Sequence, residues 1–114
     1  MVKIEIKELS PHTKLIRFEG DLDNTTLSQV EKTVDPLILV EKLNSPFLLL
    51  IDLSNLSYLN SSGLAKLIRY HIHLKIRKGT LRIFGLSESL REIMDICGAL
   101  RVLNVYRTQE EAMQ

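Results

Sequence analysis

The sequence predicts an α/β fold in one domain, residues 1–114, built on a mixed, mostly parallel sheet of about four to five strands with helices packed against it. Three observations lead there. Two strand-like segments open the chain with only a short turn between them, which suits an antiparallel hairpin. From residue 47 onward, strand-like and helix-like patterns alternate, as they do when right-handed helical crossovers join parallel strands. Finally, Phe47-Leu48-Leu49-Leu50-Ile51-Asp52-Leu53 is apolar at both odd and even positions, the pattern of a central strand covered on both faces.

The elements follow in order. Val2, Ile4 and Ile6 alternate with Lys3, Glu5 and Lys7, the period of a half-buried strand. Ser10-Pro11-His12 reads as a turn, so residues 2–9 and 14–19 pair as the hairpin. Gly20 to Asn24 breaks the alternation, and Asp23 or Asn24 is suited to cap a helix that carries Leu27, Val30 and Val34. Pro36 cannot donate an internal helix bond, so this helix is expected to kink there or to restart with Asp35 as a cap. A further turn or two over 37–43 would end before Asn44-Ser45-Pro46. After the strand at 47–53 comes a long helix from Ser62 to Lys78, stopped by Gly79. Leu81, Ile83 and Phe84 form the next strand, and Ser87 or Ser89 caps the helix after it, Ser89 with Glu92 at capping-box spacing. Gly98 closes that helix, residues 102–106 read as a last strand, and Thr108 with Glu111 marks a short terminal helix.

Composition limits the function classes. Hydrophobic residues make up 45% and charged residues 25%, values ordinary for a globular chain. Tryptophan is absent, so the core must be mostly leucine and isoleucine. A net charge of +1 gives no electrostatic case for nucleic acid. The N-terminus alternates and is charged, unlike a signal peptide, and no apolar run has the length of a membrane span. One cysteine, Cys97, excludes an internal disulfide and a cysteine-rich metal site; within Ile93-Met94-Ile96-Cys97 it reads as a small core residue. A cytoplasmic protein that touches neither membrane nor nucleic acid is expected.

In α/β sheets of this kind, function gathers in the loops after the carboxyl ends of strands. Two such loops stand out: Asp21 to Asn24, and Asn60-Ser61-Ser62-Gly63. In the helix after the second loop, Lys66, Arg69, Tyr70, His73 and Arg77 fall on one polar arc. Leu64, Leu67, Ile68, His71, Ile72, Leu74 and Ile76 occupy a broad apolar remainder. Its edge, Ile72 and Ile76 with Ala65, is read as packing on a neighbouring helix in preference to a partner-facing patch. His71 and His73 lie on different sides of a helix and His12 is remote, so no zinc site is expected. Asp21, Asp23 and Asp52 would have to gather to mimic a metal-binding phosphoacceptor; a helix cap and a loop-stabilising carboxylate are the simpler account. The chain has neither a phosphate-binding Gly-x-x-x-x-Gly-Lys loop nor a Gly-x-Ser-x-Gly elbow around Ser61, so a nucleotide site and a serine hydrolase are both disfavoured. No cofactor or metal is implied.

Three segments carry a resemblance to a known family. They are "FEGDLDNTT" at 18–26, "LLLIDLSNLSYLNSSGLAKLI" at 48–68, and "LRIFGLSESLREIMDICGALRVLNVYRTQEEAM" at 81–113. In order and spacing the chain resembles the STAS domains, the family of the bacterial anti-sigma factor antagonists. The resemblance implies a binding module, not an enzyme. In the unphosphorylated state such a module holds an anti-sigma factor that is also a serine kinase, and so regulates transcription; a phosphatase resets it. The serine that the family phosphorylates falls on Ser61. Asp21, Asp23, Asn60, Ser62, Gly63, Lys66 and Arg69 become the candidate partner-binding residues. Asn60 stands where the family carries an acid, keeping its size and carbonyl but losing the charge. That exchange sustains a second reading, a non-switching STAS adaptor subunit in a signalling or transport assembly. A serine before a helix is first of all a cap. Only one of two adjacent serines is needed for that, and with Ser62 as cap, Ser61 is left for modification.

Overall fold

The computed structural model describes residues 1–38 and 47–114. The described residues form five strands, β1 (Val2–Ser10), β2 (Thr13–Leu22), β3 (Leu48–Leu59), β4 (Thr80–Phe84) and β5 (Asn104–Tyr106). They also form four α-helices, α1 (Leu27–Ile38), α2 (Ser61–Ile76), α3 (Glu88–Ile96) and α4 (Gln109–Met113), with a single 3-10 turn at Ala99–Arg101. The strands are ordered β1-β2-β3-β4-β5. β1 runs antiparallel to β2, as the hairpin reading requires, and the other three pairings are parallel. Every parallel step goes in the same direction across the sheet, so crossovers of the usual right hand send α1, α2 and α3 to one face, and all three helices contribute to one core.

Alternation along the central strand divides the interior. Leu49, Ile51 and Leu53 face the helix-covered side and join Val34, Leu67, Leu74 and Met94 in the main core. Leu50 faces the other side, where Leu15, Phe84 and Ala112 of α4 form a small second cluster. The double-sided burial read from residues 47–53 is therefore real, although the second cover is only a five-residue helix. Arg82 fastens that helix by donating from Nη1 to the carbonyls of Ala112 (2.8 Å) and Gln114 (3.2 Å), placing a cation at a helix C-terminus.

Several expectations need correction. α1 is one helix through Pro36 and does not restart with Asp35 as its cap. Asp35 instead accepts from the Tyr70 hydroxyl and pairs with Lys66. Leu37 and Ile38 belong to α1, and the remainder of the expected turn, with Asn44-Ser45-Pro46, lies outside the described residues. β3 extends six residues beyond Leu53, pairing with β2 as far as Leu22 opposite Leu59. Buried Leu56 and Leu59 hold this extension against the core. α2 begins at Ser61 and ends at Ile76. The left-handed residue after it is Lys78 (φ 64°), while Gly79 N–H bonds the Leu74 carbonyl at 2.7 Å. Ser87, not Ser89, caps α3 through Leu90 N–H. Tyr70 belongs to the core and not to a polar arc, whereas Ile72, Ile76 and Cys97 are exposed.

The open side of the sheet carries a buried acid. Asp52 stands opposite Arg17 in the β2–β3 register and accepts from Arg17 Nε at 2.8 Å. Its other oxygen accepts from Ser54 N–H (2.9 Å) and Ser54 Oγ (2.5 Å). Gly85 (φ 84°) closes the site, since a Cβ there would stand 3.1 Å from Asp52 Oδ1 and closer still to Ser54 Oγ. Burial alone would raise the Asp52 carboxyl. The two Ser54 bonds and the Arg17 partner outweigh it and hold the group below its ordinary 3.8. Asp52, Asp21 and Asp23 do not gather, and the described residues hold no group of three potential metal ligands.

A folded value below the unfolded one stabilises the fold fully above the unfolded pKa, and that stabilisation is lost as pH falls through the folded value. Asp52→Asn is expected to cost about 2 kcal/mol near neutrality. In urea unfolding followed against pH, the gap between wild type and variant should hold above 3.8 and close below it.

Candidate functional site

The carboxyl ends of β2 and β3 lie side by side, so the two loops singled out in the sequence meet. Their junction is made of backbone. Asn60 N–H donates to the Leu22 carbonyl at 3.1 Å. Gly63 then passes so close to Leu22 that a Cβ on it would stand 2.9 Å from Leu22 Cβ and nearer still to the Leu22 carbonyl oxygen. Only glycine permits this approach.

Asn60 is the cap of α2. Its Oδ1 accepts from Gly63 N–H at 3.0 Å, and its backbone carbonyl accepts from Leu64 N–H at 3.0 Å. Its amide nitrogen donates to Asn24 Oδ1 at 2.7 Å, tying the second loop to the first. The expectation that Ser62 caps the helix is thus corrected, because the side chain one residue before the first helical position reaches the free N–H groups and Ser62, already helical, does not. Ser61 is exposed at that first helical position, and none of the bonds that hold the helix start uses its side chain.

The first loop has its own order. Asp23 Oδ1 accepts from Thr25 N–H (2.8 Å), Thr25 Oγ1 (2.6 Å) and Thr26 N–H (3.2 Å). Thr26 returns the bond by accepting from Asp23 N–H at 3.1 Å, so Asp23, and not Asn24, caps the turn leading into α1. The Thr25 hydroxyl bond, opposed by partial desolvation and aided by the Thr25 and Thr26 N–H groups, keeps the Asp23 carboxyl below its ordinary range. Asp21 sits at the end of β2 with its backbone engaged: its N–H donates to the Met1 carbonyl (3.2 Å) and its carbonyl accepts from Thr26 Oγ1 (2.9 Å).

Lys66 and Arg69 lie further along α2 and differ in character. The Lys66 ammonium pairs with Glu31 (3.1 Å) and Asp35 (3.5 Å) of α1 and lies 5.0 Å from the centre of the Tyr70 ring. Tyr70 is buried and donates to Asp35; burial and these two acids push its hydroxyl far above the ordinary range, so it stays protonated. Lys66 therefore binds the two helices together, whereas Arg69 is exposed and makes no ion pair among the described residues. Between the helices runs a groove of about 240 Å³ lined by Leu27, Glu31, Ser62, Ala65, Lys66 and Arg69. The sequence reading did not place Asn24, Glu31 and Asp35 at the site, taking Asn24 and Asp35 only as possible helix caps. Glu31 and Asp35 carried a signal, two acids four residues apart on one helix face; Asn24 carried none beyond its place in the loop.

Gly63→Ala is expected to lower stability by about 3 kcal/mol, because backbone on both sides leaves little room to relax. Chemical denaturation against wild type measures it. A cost under about 0.5 kcal/mol would mean that the approach is not tight.

Comparisons with known proteins accord with this geometry. At 28% identity over 110 residues, 96% of this chain and 93% of the relative, the chain is similar to the anti-sigma-B factor antagonist of Listeria monocytogenes. Among solved structures, an anti-sigma factor antagonist from Mycobacterium paratuberculosis superposes with a TM-score of 0.83 at 20% identity, over 99% of this chain and 92% of that one. The Bacillus cell-fate determinant SpoIIAA, also 20% identical, superposes over 97% of this chain in both states: unphosphorylated (TM-score 0.77, 93% of that chain) and phosphorylated (0.71, 96%). The STAS domain family model matches residues 3–112. The chain belongs to the STAS domain family.

Proposed function

We propose that the protein is an anti-sigma factor antagonist, a binding module that holds an anti-sigma factor with serine kinase activity while Ser61 is unphosphorylated. Phosphorylation of Ser61 by that kinase ends the complex, a phosphatase restores it, and transcription follows the balance. The observation that carries this reading is the division of labour at the start of α2. Asn60 does the capping, so the Ser61 hydroxyl is exposed and free to react without undoing the helix. The relatives named as antagonists, and SpoIIAA with its two phosphorylation states, support the same reading.

The physics of such a switch is local. Phosphate adds about −1.5 to −2 charges at the positive end of a helix, where its own domain tolerates them. A partner that had covered Ser61 must then bury that charge or supply a cation. A penalty of roughly 3 kcal/mol weakens binding more than a hundredfold, so no large rearrangement is required. The partner surface is formed by the exposed parts of the two stitched loops and the groove beside them: Asp21, Asp23, Asn60, Ser62 and Arg69. Gly63 shapes that surface and Lys66 braces it. Asn60 in place of the family's acid removes one negative charge beside Ser61 and uses its amide to hold Asn24.

Titration calorimetry with the cognate anti-sigma kinase tests the proposal. Ser61→Ala should bind as wild type does and resist phosphorylation, and Ser61→Asp should bind at least tenfold more weakly. Equal binding by both variants would leave a non-switching adaptor as the better account. Asn60→Asp keeps the cap oxygen and should stay within about 1 kcal/mol of wild-type stability, with Asn24 reversing its amide to donate.

A further inference from the structure

The outer surfaces of α2 and α3 carry more apolar area than solvated helices need. Ile72 and Ile76 on α2 are 49% and 76% exposed, and Ile93 and Ile96 on α3 are 42% and 79% exposed. The two helices follow β3 and β4, which are neighbours in the sheet. Both bury their inner sides in one core, through Leu67 and Leu74 of α2 and through Leu90 and Met94 of α3. Both therefore cover the same face of the sheet over neighbouring strands, and their exposed isoleucines are turned away from that shared core. Single exposed isoleucines are ordinary, but four on helices over neighbouring strands form the kind of patch that marks an interface.

The charges around these isoleucines differ in sign between the helices. α2 exposes Arg69 and Lys75 among its isoleucines. α3 exposes Glu88, Glu92 and Asp95, with the half-buried Arg91 as the one cation between them. One half of the surface is thus apolar and basic, the other apolar and acidic. A surface so divided is complementary to itself. A two-fold axis running along the helices sets α2 of one copy on α3 of the other, twice over, joining isoleucine to isoleucine and cation to carboxylate. An axis running across the helices would set basic α2 on basic α2, which the charges oppose.

We infer that this face closes on a second copy of the chain, as a two-fold dimer in which each α2 packs on the partner's α3. Ile72, Lys75 and Ile76 of α2 and the α3 residues lie apart from the loops at the start of α2, so the inference does not depend on the reading of Ser61; of the residues named, Arg69 alone is shared with the proposed partner surface.

Sedimentation equilibrium of the whole chain over a range of concentration and salt is the test. A reversible dimer whose dissociation constant rises with salt is expected. Ile93→Asp should weaken it by about a hundredfold. The double reversals Arg69→Glu with Lys75→Glu, and Glu92→Lys with Asp95→Lys, should each weaken the homodimer at least tenfold. An equimolar mixture of these two variants should form a heterodimer, since each then offers what the other lacks. All of these positions are exposed, and circular dichroism confirms that the variants remain folded. A monomer at every concentration would overturn the inference and leave the face to another protein. A dimer unaffected by Ile93→Asp, or reversals that fail to pair in the mixture, would overturn it equally.

Discussion

The Leu22 carbonyl is the point on which this structure turns. It accepts from Asn60 N–H and lies against Gly63, so the end of β2, the end of β3 and the start of α2 are fixed by one peptide group. Everything exposed at the site inherits its position from that contact. Without a side chain at residue 63 the helix can start directly over the strand end; with one, the first turn of α2 must move away and carry Ser61 with it. Asn60 then completes the junction by capping the helix with its oxygen and holding Asn24 with its nitrogen.

Two charge networks brace this junction from different sides. On the open face of the sheet, Asp52 is buried but well paired, and its bonds to Arg17 and Ser54 keep β2 and β3 in register below the site. On the helical face, Lys66 and Tyr70 share Asp35, so α1 and α2 keep a fixed distance beside the groove. Both arrangements hold polar groups where leaving one partner unmatched would be costly. What these networks leave uncommitted includes the Ser61 hydroxyl, the Arg69 guanidinium and the outward surfaces of α2 and α3. His71, buried on α2 with burial and then Lys75 lowering its pKa, belongs to the scaffold and stays neutral near physiological pH.

Much of this was legible in the sequence, and the limits have physical causes. Alternation in residues 2–7, the apolar run at 47–53 and the strand–helix order after it were enough for the hairpin, the mostly parallel sheet and a central strand covered on both faces. The two loops at the candidate site were legible too, because loops after strand ends collect function in such sheets. Capping was misread because Ser, Asn and Asp are near equals as caps, and only the geometry of the preceding strand decides which of them reaches the free N–H groups. Pro36 was misread because one missing internal bond does not end a helix whose Val30, Val34 and Ile38 are held in the core. Tyr70 looked polar on a helical wheel, yet Asp35 gives its hydroxyl a buried partner, and that satisfies the condition for placing tyrosine in a core. The isoleucines of α2 and α3 were expected to be covered, and the domain alone leaves them bare.

The central claim is that Asn60 caps α2, which frees both serines from that task, and that Ser61, exposed where Ser62 is half-buried, is the residue proposed to be modified. It is tested most directly by capturing the tagged protein from its own cells and mapping phosphate within residues 60–66 by mass spectrometry. The account predicts phosphate on Ser61 alone, with an anti-sigma kinase co-purifying with the unmodified form. Phosphate on Ser62, or a stable partner and no phosphate even after kinase and ATP are added, would contradict it.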